Sequence, residues 1–337
     1  MEDYPVANVP TQPANWSENY ALAGFDPKCG VDVFLALGRW RHDLSLWREM
    51  VTIALPDGTI AAHRAIGNGM ASDRMPGGSN MQLEIVEDGR AQRWSFLGAV
   101  RRVPVEAIAT DILRDGPLVR AEFCFDFHSD APGWDLGSSG KTSAVAGHSH
   151  LEQIGRTTAR ISIGDDVFEF DSFINRDHSR GPRHVGPMTR HAWLHGIFDN
   201  GLQFQAYEGF EGEETAIPRF SKASVYRDGR QIPAIMRFGP ALPDANPVAH
   251  VKDEIKVNLS FEDEVIDFTI VDFPTTIHVQ MTTPWDNYIG ARESGSEPRR
   301  RLVEQGVRYR MADGTTGYGH MERTVPGKVF ADDEIDG

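Results

Sequence analysis

The chain has 337 residues, is 40% hydrophobic, and sets 49 acidic side chains against 34 Lys and Arg, for a net charge of −15. That length suits two domains with real cores, and so acidic a balance excludes nucleic acid or an anionic membrane surface as the main partner. Cys29 and Cys124 make no disulfide framework, and no run approaches the ~18 apolar residues of a membrane span or the apolar segment of a signal peptide, so a soluble, cytoplasmic protein is expected.

From its N-terminus the chain opens on a loose arm, and residues 16–25 read as a short helix or turn that plugs a barrel end. Residues 31–37 form a short apolar strand. REMVTIAL, a Pro-Asp-Gly turn and TIAAHRAIG then make a hairpin, and MQLEIV with RAQRWSFLGAV repeats the pattern across Glu87-Asp-Gly89. After ATDILRD and a Gly116-Pro117 turn comes LVRAEFCFDFHS, in which Cys124 reads as a buried free thiol. Residues 130–147, rich in Gly and Ser, form a surface loop that leads into a histidine cluster and is read as a lid over it. Further on, residues 191–198 and 202–207 pair across Asp199-Asn-Gly201, and more strand pairs follow, with Glu262 to Glu264 as an exposed turn and Arg299 to Arg301 as a solvated loop. LVEQGVRYRMADGTTGYGHMERTV is the last hairpin. Asp-Gly or Asn-Gly punctuation recurs at Asp57, Asp88, Asp115, Asn200, Asp228 and Asp313, with no amphipathic helical pattern of comparable length between, which marks an all-β, mostly antiparallel protein.

Polar chemistry concentrates in residues 147–183, GHSHLEQIGRTTARISIGDDVFEFDSFINRDHSRGPR. The stretch reads as a hairpin of strands 149–163 and 167–174, turning at Gly164-Asp165-Asp166. Residues two apart on a strand share a face, so His148, His150 and Glu152 point one way. On the returning segment Asp177 shares a face with Asn175 and Ser179, while Arg176, His178 and Arg180 take the other. Pairing of the two ends places His150, Glu152 and Asp177 on one side of a sheet, an arrangement suited to proton transfer.

The run HLEQIGRTTARISIG…DSFINRDHSRGPR resembles the H-x-E-Q-x-G-R…R-D-H-S-W-G-x-R signature of bacterial proteins related to carotenoid 1,2-hydratase (hydroxyneurosporene synthase) and the AttH-like group. Trp16-Ser-Glu-Asn-Tyr20, the Leu55-Pro-Asp-Gly58 turn and Gly317-Tyr-Gly-His-Met-Glu322 extend the likeness over most of the chain. The resemblance implies two antiparallel calycin- or lipocalin-like β-barrel or β-sandwich domains, here residues 1–183 and 184–326 followed by an acidic tail at 327–337, with an apolar ligand between or inside them. It also implies hydration of isolated alkenes or, in fungal relatives, assisted cycloaddition. Arg180 stands where the pattern has Trp, and an arginine fork at a pocket wall favours a carboxylate, phenolate or sulfate on the ligand; the alternative is a surface arginine paired with an acid.

Three functions remain. The first is a cofactor-free lyase or isomerase acting on a terpenoid, steroid or aromatic. Protonating an unactivated alkene needs a carboxylic acid kept neutral near pH 7, which burial supplies. Asp177 is the expected acid, Glu152 the second candidate, and His150 or His178 positions water or takes the proton back, with Arg180, Arg176, Trp193, Phe204 and Tyr207 as substrate-binding residues. The structural alternative for the motif is an ion-paired clasp, with Asp177 bonded to an arginine and His178 to a backbone carbonyl. The second function is a metal-dependent enzyme, with His148, His150 and Glu152 as ligands and His191 or His195 completing the set. The third is a carrier whose pocket draws on Trp193, Phe198, Phe204, Tyr207 and Phe210, residues that otherwise make ordinary core. The expected partner is a hydrophobic small molecule, and homodimerisation is left open. The nucleotide-binding Gly-rich loop and the G-x-S-x-G elbow are both missing.

Overall fold

The structure, a computed structural model, describes residues 3–5, 16–40, 43–69, 72, 74–105, 116–136, 149–182, 188–211, 220–239, 254–283, 286–289 and 300–325. His148, Arg183 and residues 137–147 of the expected lid lie outside them. The described strands fall into two compact units that part after His184. The first holds β1 (Trp16–Asp26), β2 (Val31–Trp40), β3 (Asp43–Ala54), β4 (Thr59–Gly67), β5 (Met81–Glu87), β6 (Ala91–Pro104), β7 (Leu118–His128), β8 (Trp134–Asp135), β9 (Ser149–Ile163) and β10 (Asp166–Pro182). The second holds β11 (Met188–Phe198), β12 (Gln203–Glu211), β13 (Phe220–Arg227), β14 (Arg230–Phe238), β15 (Ile255–Phe261), β16 (Glu264–Asp272), β17 (Ile277–Thr283), β18 (Asp286–Ile289), β19 (Arg300–Met311) and β20 (Thr316–Val325).

Each unit is an antiparallel barrel. In the first, β1-β2-β3-β4-β6-β7-β9-β10 are neighbours in that order and β10 returns to β1. In the second, β11 to β16 run in sequence, β16 pairs with β19, and β20 joins β19 back to β11. Closure leaves neither ring with an open edge. One of the two-residue hairpins, with Arg227 opposite Arg230, turns through Asp228 at φ 53° and Gly229 at φ 74°, the two positive dihedrals that such a turn needs to follow the strand twist.

Period-two burial explains both a success and a correction. In β7 the rings of Phe123, Phe125 and Phe127 point into the first core, so Cys124 points out and is exposed rather than buried. Residues 16–25 are not a helix or a plug. They form β1, whose Tyr20 and Leu22 enter the core while its backbone pairs with β2 on one side and β10 on the other. So short a run has no periodicity strong enough to resist two waiting ladders of hydrogen bonds. Arg300 likewise begins β19 instead of belonging to a loop. The second core gathers Leu194, Phe198, Phe204, Val225, Phe268 and Tyr309.

Part of the first barrel's interior face is ionic. Arg176, wholly buried, donates from Nη1 to Asp3 Oδ1 and from Nε to Gln153 Oε1, both at 2.7 Å. Asp3 Oδ2 accepts from the Gly89 amide at 2.8 Å, and the Asp3 carbonyl accepts from the Tyr20 hydroxyl at 2.7 Å. Glu18 lies 2.8 Å from Arg39 and 3.4 Å from His178. Burial works against its carboxylate, yet His178 and Arg39 hold its pKa below the ordinary value. Removing one partner of such a buried pair strands the other charge, so Asp3→Ala is expected to lower the unfolding free energy by about 3–5 kcal/mol. Urea denaturation followed by tryptophan fluorescence checks this, with Glu122→Ala, at an exposed ion pair, as the control that shifts little.

Candidate functional site

β10 is longer than its apolar alternation announces. It carries the polar segment up to Pro182 within the sheet and pairs with β9 from Asp166 to Arg180. The register sets Asp177 opposite Glu152 and Ser179 opposite His150. Residues directly opposite each other on antiparallel strands share a face, as do residues two apart on one strand, so the three chemical groups converge. His150 Nε2 stands 2.8 Å from Glu152 Oε1 and 2.7 Å from Asp177 Oδ2. Neither contact has in-line hydrogen-bond geometry at the ring nitrogen, and the attraction is chiefly coulombic. His150 Nδ1 is buried without a hydrogen-bond partner among the described residues. Glu152 Oε2 accepts from Asn175 Nδ2 at 2.6 Å. Side-chain exposure is 9% for His150, 1% for Glu152 and 17% for Asp177.

The environment splits the protonation states. Burial pushes the Glu152 carboxyl up to about 7, against the pull of His150. Burial disfavours an imidazolium at His150, but Asp177 and then Glu152 outweigh it and raise its pKa to about 10. Near neutrality the cluster therefore holds a cationic His150 and a Glu152 that gains and loses its proton. The ligand atoms of all three residues lie within 4.8 Å of one another, a spacing that a metal ion also accepts.

The floor beside this cluster is apolar. Register carries its face from Asp177 to Ala21, then to Ala36 and Met50, and from Asn175 through Ala23 to Phe34. Phe34, Met50 and Ile154 are buried there although they belong to no part of the barrel's interior core.

His178, Arg176 and Arg180 are not brought to the cluster. All three lie on the opposite face of β10, where His178 stacks on Tyr20 with ring centroids 4.0 Å apart, Arg176 holds Asp3, and Arg180 Nη1 donates to the Tyr4 carbonyl at 3.3 Å. The arginines therefore do not face Asp177, which pairs with His150. An ion-paired clasp does exist, but Arg176 and His178 make it with Asp3 and Glu18.

In the second barrel the expected pocket residues divide. Phe198 and Phe204 belong to the interior core, and Phe210 packs with Ala192. Trp193 and Tyr207 face each other across β11 and β12 on the other side, together with His191 and His195. On the strands alongside, Glu322 is opposite Trp193, His320 opposite His195, and Glu304 opposite Glu322. His191 Nε2 contacts Glu322 Oε1, and His320 Nε2 lies 2.8 Å from Glu304 Oε2. Burial, then the charge of Glu322, raises Glu304 well above the ordinary carboxyl range. Sequence reading missed Glu304, His320 and Glu322 as members of this patch. The alternation of HAWLH marks its first half, but the other half arrives by a strand pairing more than a hundred residues distant.

Among the described residues no helix is long and apolar enough to cross a membrane. Three solved proteins share the fold over nearly the whole chain. CghA is 11% identical with a TM-score of 0.55, covering 94% of this chain and 90% of its own. An AttH-type protein from Nitrosomonas europaea is 11% identical with a TM-score of 0.58, covering 92% of each. Kievitone hydratase from Nectria haematococca is 9% identical with a TM-score of 0.50, covering 97% of this chain and 94% of its own. At such identities the likeness establishes the fold, the two-barrel one that the AttH-like resemblance implied. Comparison with curated protein sequences gives no match. A family profile described as a domain of unknown function, DUF7064, matches residues 4–326, and the chain belongs to that family.

Proposed function

We propose that this chain is an acid–base enzyme of the hydratase kind, acting without a cofactor on a hydrophobic small molecule, with His150, Glu152 and Asp177 as its chemical groups. The observation that carries this reading is the buried Glu152 carboxyl, pushed up to about 7 within 2.8 Å of an imidazole that also touches Asp177 at 2.7 Å. Pairs of titratable groups whose surroundings push their pKa values apart are a signature of acid and base roles. Kievitone hydratase, a hydratase of the same fold, supports the reading by analogy. The apolar floor of Ala21, Ala36, Met50 and Phe34 fits a hydrocarbon or aromatic body.

Hydration adds a proton to one alkene carbon and a water oxygen to the other. Asp177, the most exposed of the three, meets the substrate. It takes a proton from His150 and delivers it to carbon, which leaves a carbocation and an Asp177 carboxylate. Water adds to the cation, and its surplus proton returns through Asp177 to His150, so the enzyme ends as it began. Glu152 sets the ease of the first transfer: while protonated it withdraws one of the two charges that hold the proton on His150.

The test is incubation in D2O with a panel of terpenoid and prenylated aromatic alkenes, read by mass spectrometry. Addition of one D2O by the wild type, reduced about 10²-fold or more in a folded Asp177→Asn variant that still binds the substrate, is the expected result. Binding without any deuterium in the product would instead mark a carrier. The pH dependence has a definite sign: kcat/KM falls as pH rises through about 7, where Glu152 ionises and pins the proton on His150. Glu152→Gln, neutral at every pH, moves that limb upward by about one pH unit or more, and a limb that stays in place assigns it to another group.

A second reading has its own observation, the convergence of one nitrogen and two carboxylate oxygens within 4.8 Å. Metal analysis of the purified protein decides between them. A stoichiometric divalent ion, lost on chelation together with turnover, supports the metal enzyme; turnover that survives chelation supports the acid–base one.

A further inference from the structure

The outer patch of the second barrel contains polar groups that its own residues leave unsatisfied. Trp193 and His195 are two apart on β11 and so share a face, with ring centroids 5.3 Å apart and planes at 60°. Both are buried, at 5% and 1% exposure. Among the described residues, Trp193 Nε1 and both ring nitrogens of His195 have no hydrogen-bond partner. Their neighbours are committed: His191 to Glu322, and His320 to Glu304. Buried donors and acceptors are nearly always paired, so these orphan atoms call for a ligand that meets the indole N–H and at least one imidazole nitrogen.

We propose that the second barrel carries a binding site of its own for the hydroxyl group of a planar, uncharged aromatic ligand, with His195 and Trp193 as its polar anchors. A hydroxyl is both donor and acceptor, so one oxygen can donate to an imidazole lone pair while accepting the indole N–H. Neutrality follows from the surroundings. Burial, helped by the adjacent His320, keeps His195 well below its usual pKa, so it is an uncharged imidazole, and Glu322, opposite Trp193 on the neighbouring strand, opposes an anionic ligand. Planarity follows from the flanking rings: Tyr207, across from Trp193, stacks on Phe220 at 5.2 Å and on His191 at 5.3 Å. Both anchors belong to the second barrel, and the site does not depend on the role given to His150, Glu152 and Asp177.

Calorimetry of the full chain with naphthol, its methyl ether, naphthalene and naphthoate tests it. Naphthol is expected to bind about tenfold or more tightly than its methyl ether, which cannot donate, and than naphthoate, which is charged. His195→Phe and Trp193→Phe keep the aromatic surface while removing the nitrogens, and each is expected to cost naphthol about tenfold in affinity while leaving naphthalene unchanged. Equal binding of naphthol and its ether, no binding of naphthol, or naphthol affinity unaltered in a folded variant each overturns the proposal. The ligand series on the wild type decides even where a variant fails to fold.

Discussion

The register between β9 and β10 decides which groups can react. With Asp177 opposite Glu152, the alternation of both strands delivers His150, Glu152 and Asp177 to one face and Gln153, Arg176 and His178 to the other. A slip of one residue would exchange the faces, sending the arginine outward and Asp177 into the interior. The register is secured from both sides: β10 pairs with β9 from Asp166 to Arg180 and, through its last eight residues, with β1. Barrel closure and site assembly are thus one event.

Alternation lets four consecutive residues do two jobs. Arg176 and His178 face inward, where Asp3 and Gln153 hold the guanidinium and Glu18 and Tyr20 flank the imidazole, and Asp177 and Ser179 face outward beside His150. Buried ionic clusters are weak sources of stability, because desolvation offsets most of the attraction. Their value here is geometric: a guanidinium held at two fixed acceptors keeps β10 from sliding along β9. Arg180 sits on the inward side too, against the Tyr4 carbonyl, which removes the ground for an anionic handle on the ligand at that position.

How much of this was legible follows from how local each signal is. The hairpin turns and the β9 boundaries could be read, since Asp-Gly pairs and period-two alternation are properties of a few adjacent residues. The assignment of His150, Glu152 and Asp177 to one face was legible for the same reason, given one assumption about pairing. β1 was not, because a run with Tyr20, Leu22 and several small residues becomes a strand only when β2 and β10 are beside it. Phe204 and Tyr207 look alike as text, yet their odd spacing puts one in the core and the other on the outer patch. Glu304, His320 and Glu322 meet the β11 histidines through β19 and β20, and nothing in either segment alone says so.

The proton ledger of the first cluster shows why its histidine and acids belong together. Glu152, raised from 4.5 to about 7, favours the fold fully only below 4.5, and that contribution is lost as pH climbs through about 7. His150, raised from 6.5 to about 10, contributes stability that is fully present below 6.5 and is lost as pH climbs through about 10. In the interval between 7 and 10 the imidazolium therefore stabilises a fold that the newly ionised Glu152 strains. Without His150, two carboxylates would face each other across a sheet with no cation between them. Without the carboxylates, burial would leave His150 neutral and unable to supply a proton. Each group holds its partner in the protonation state that proton transfer needs, and the strand register holds both at that distance.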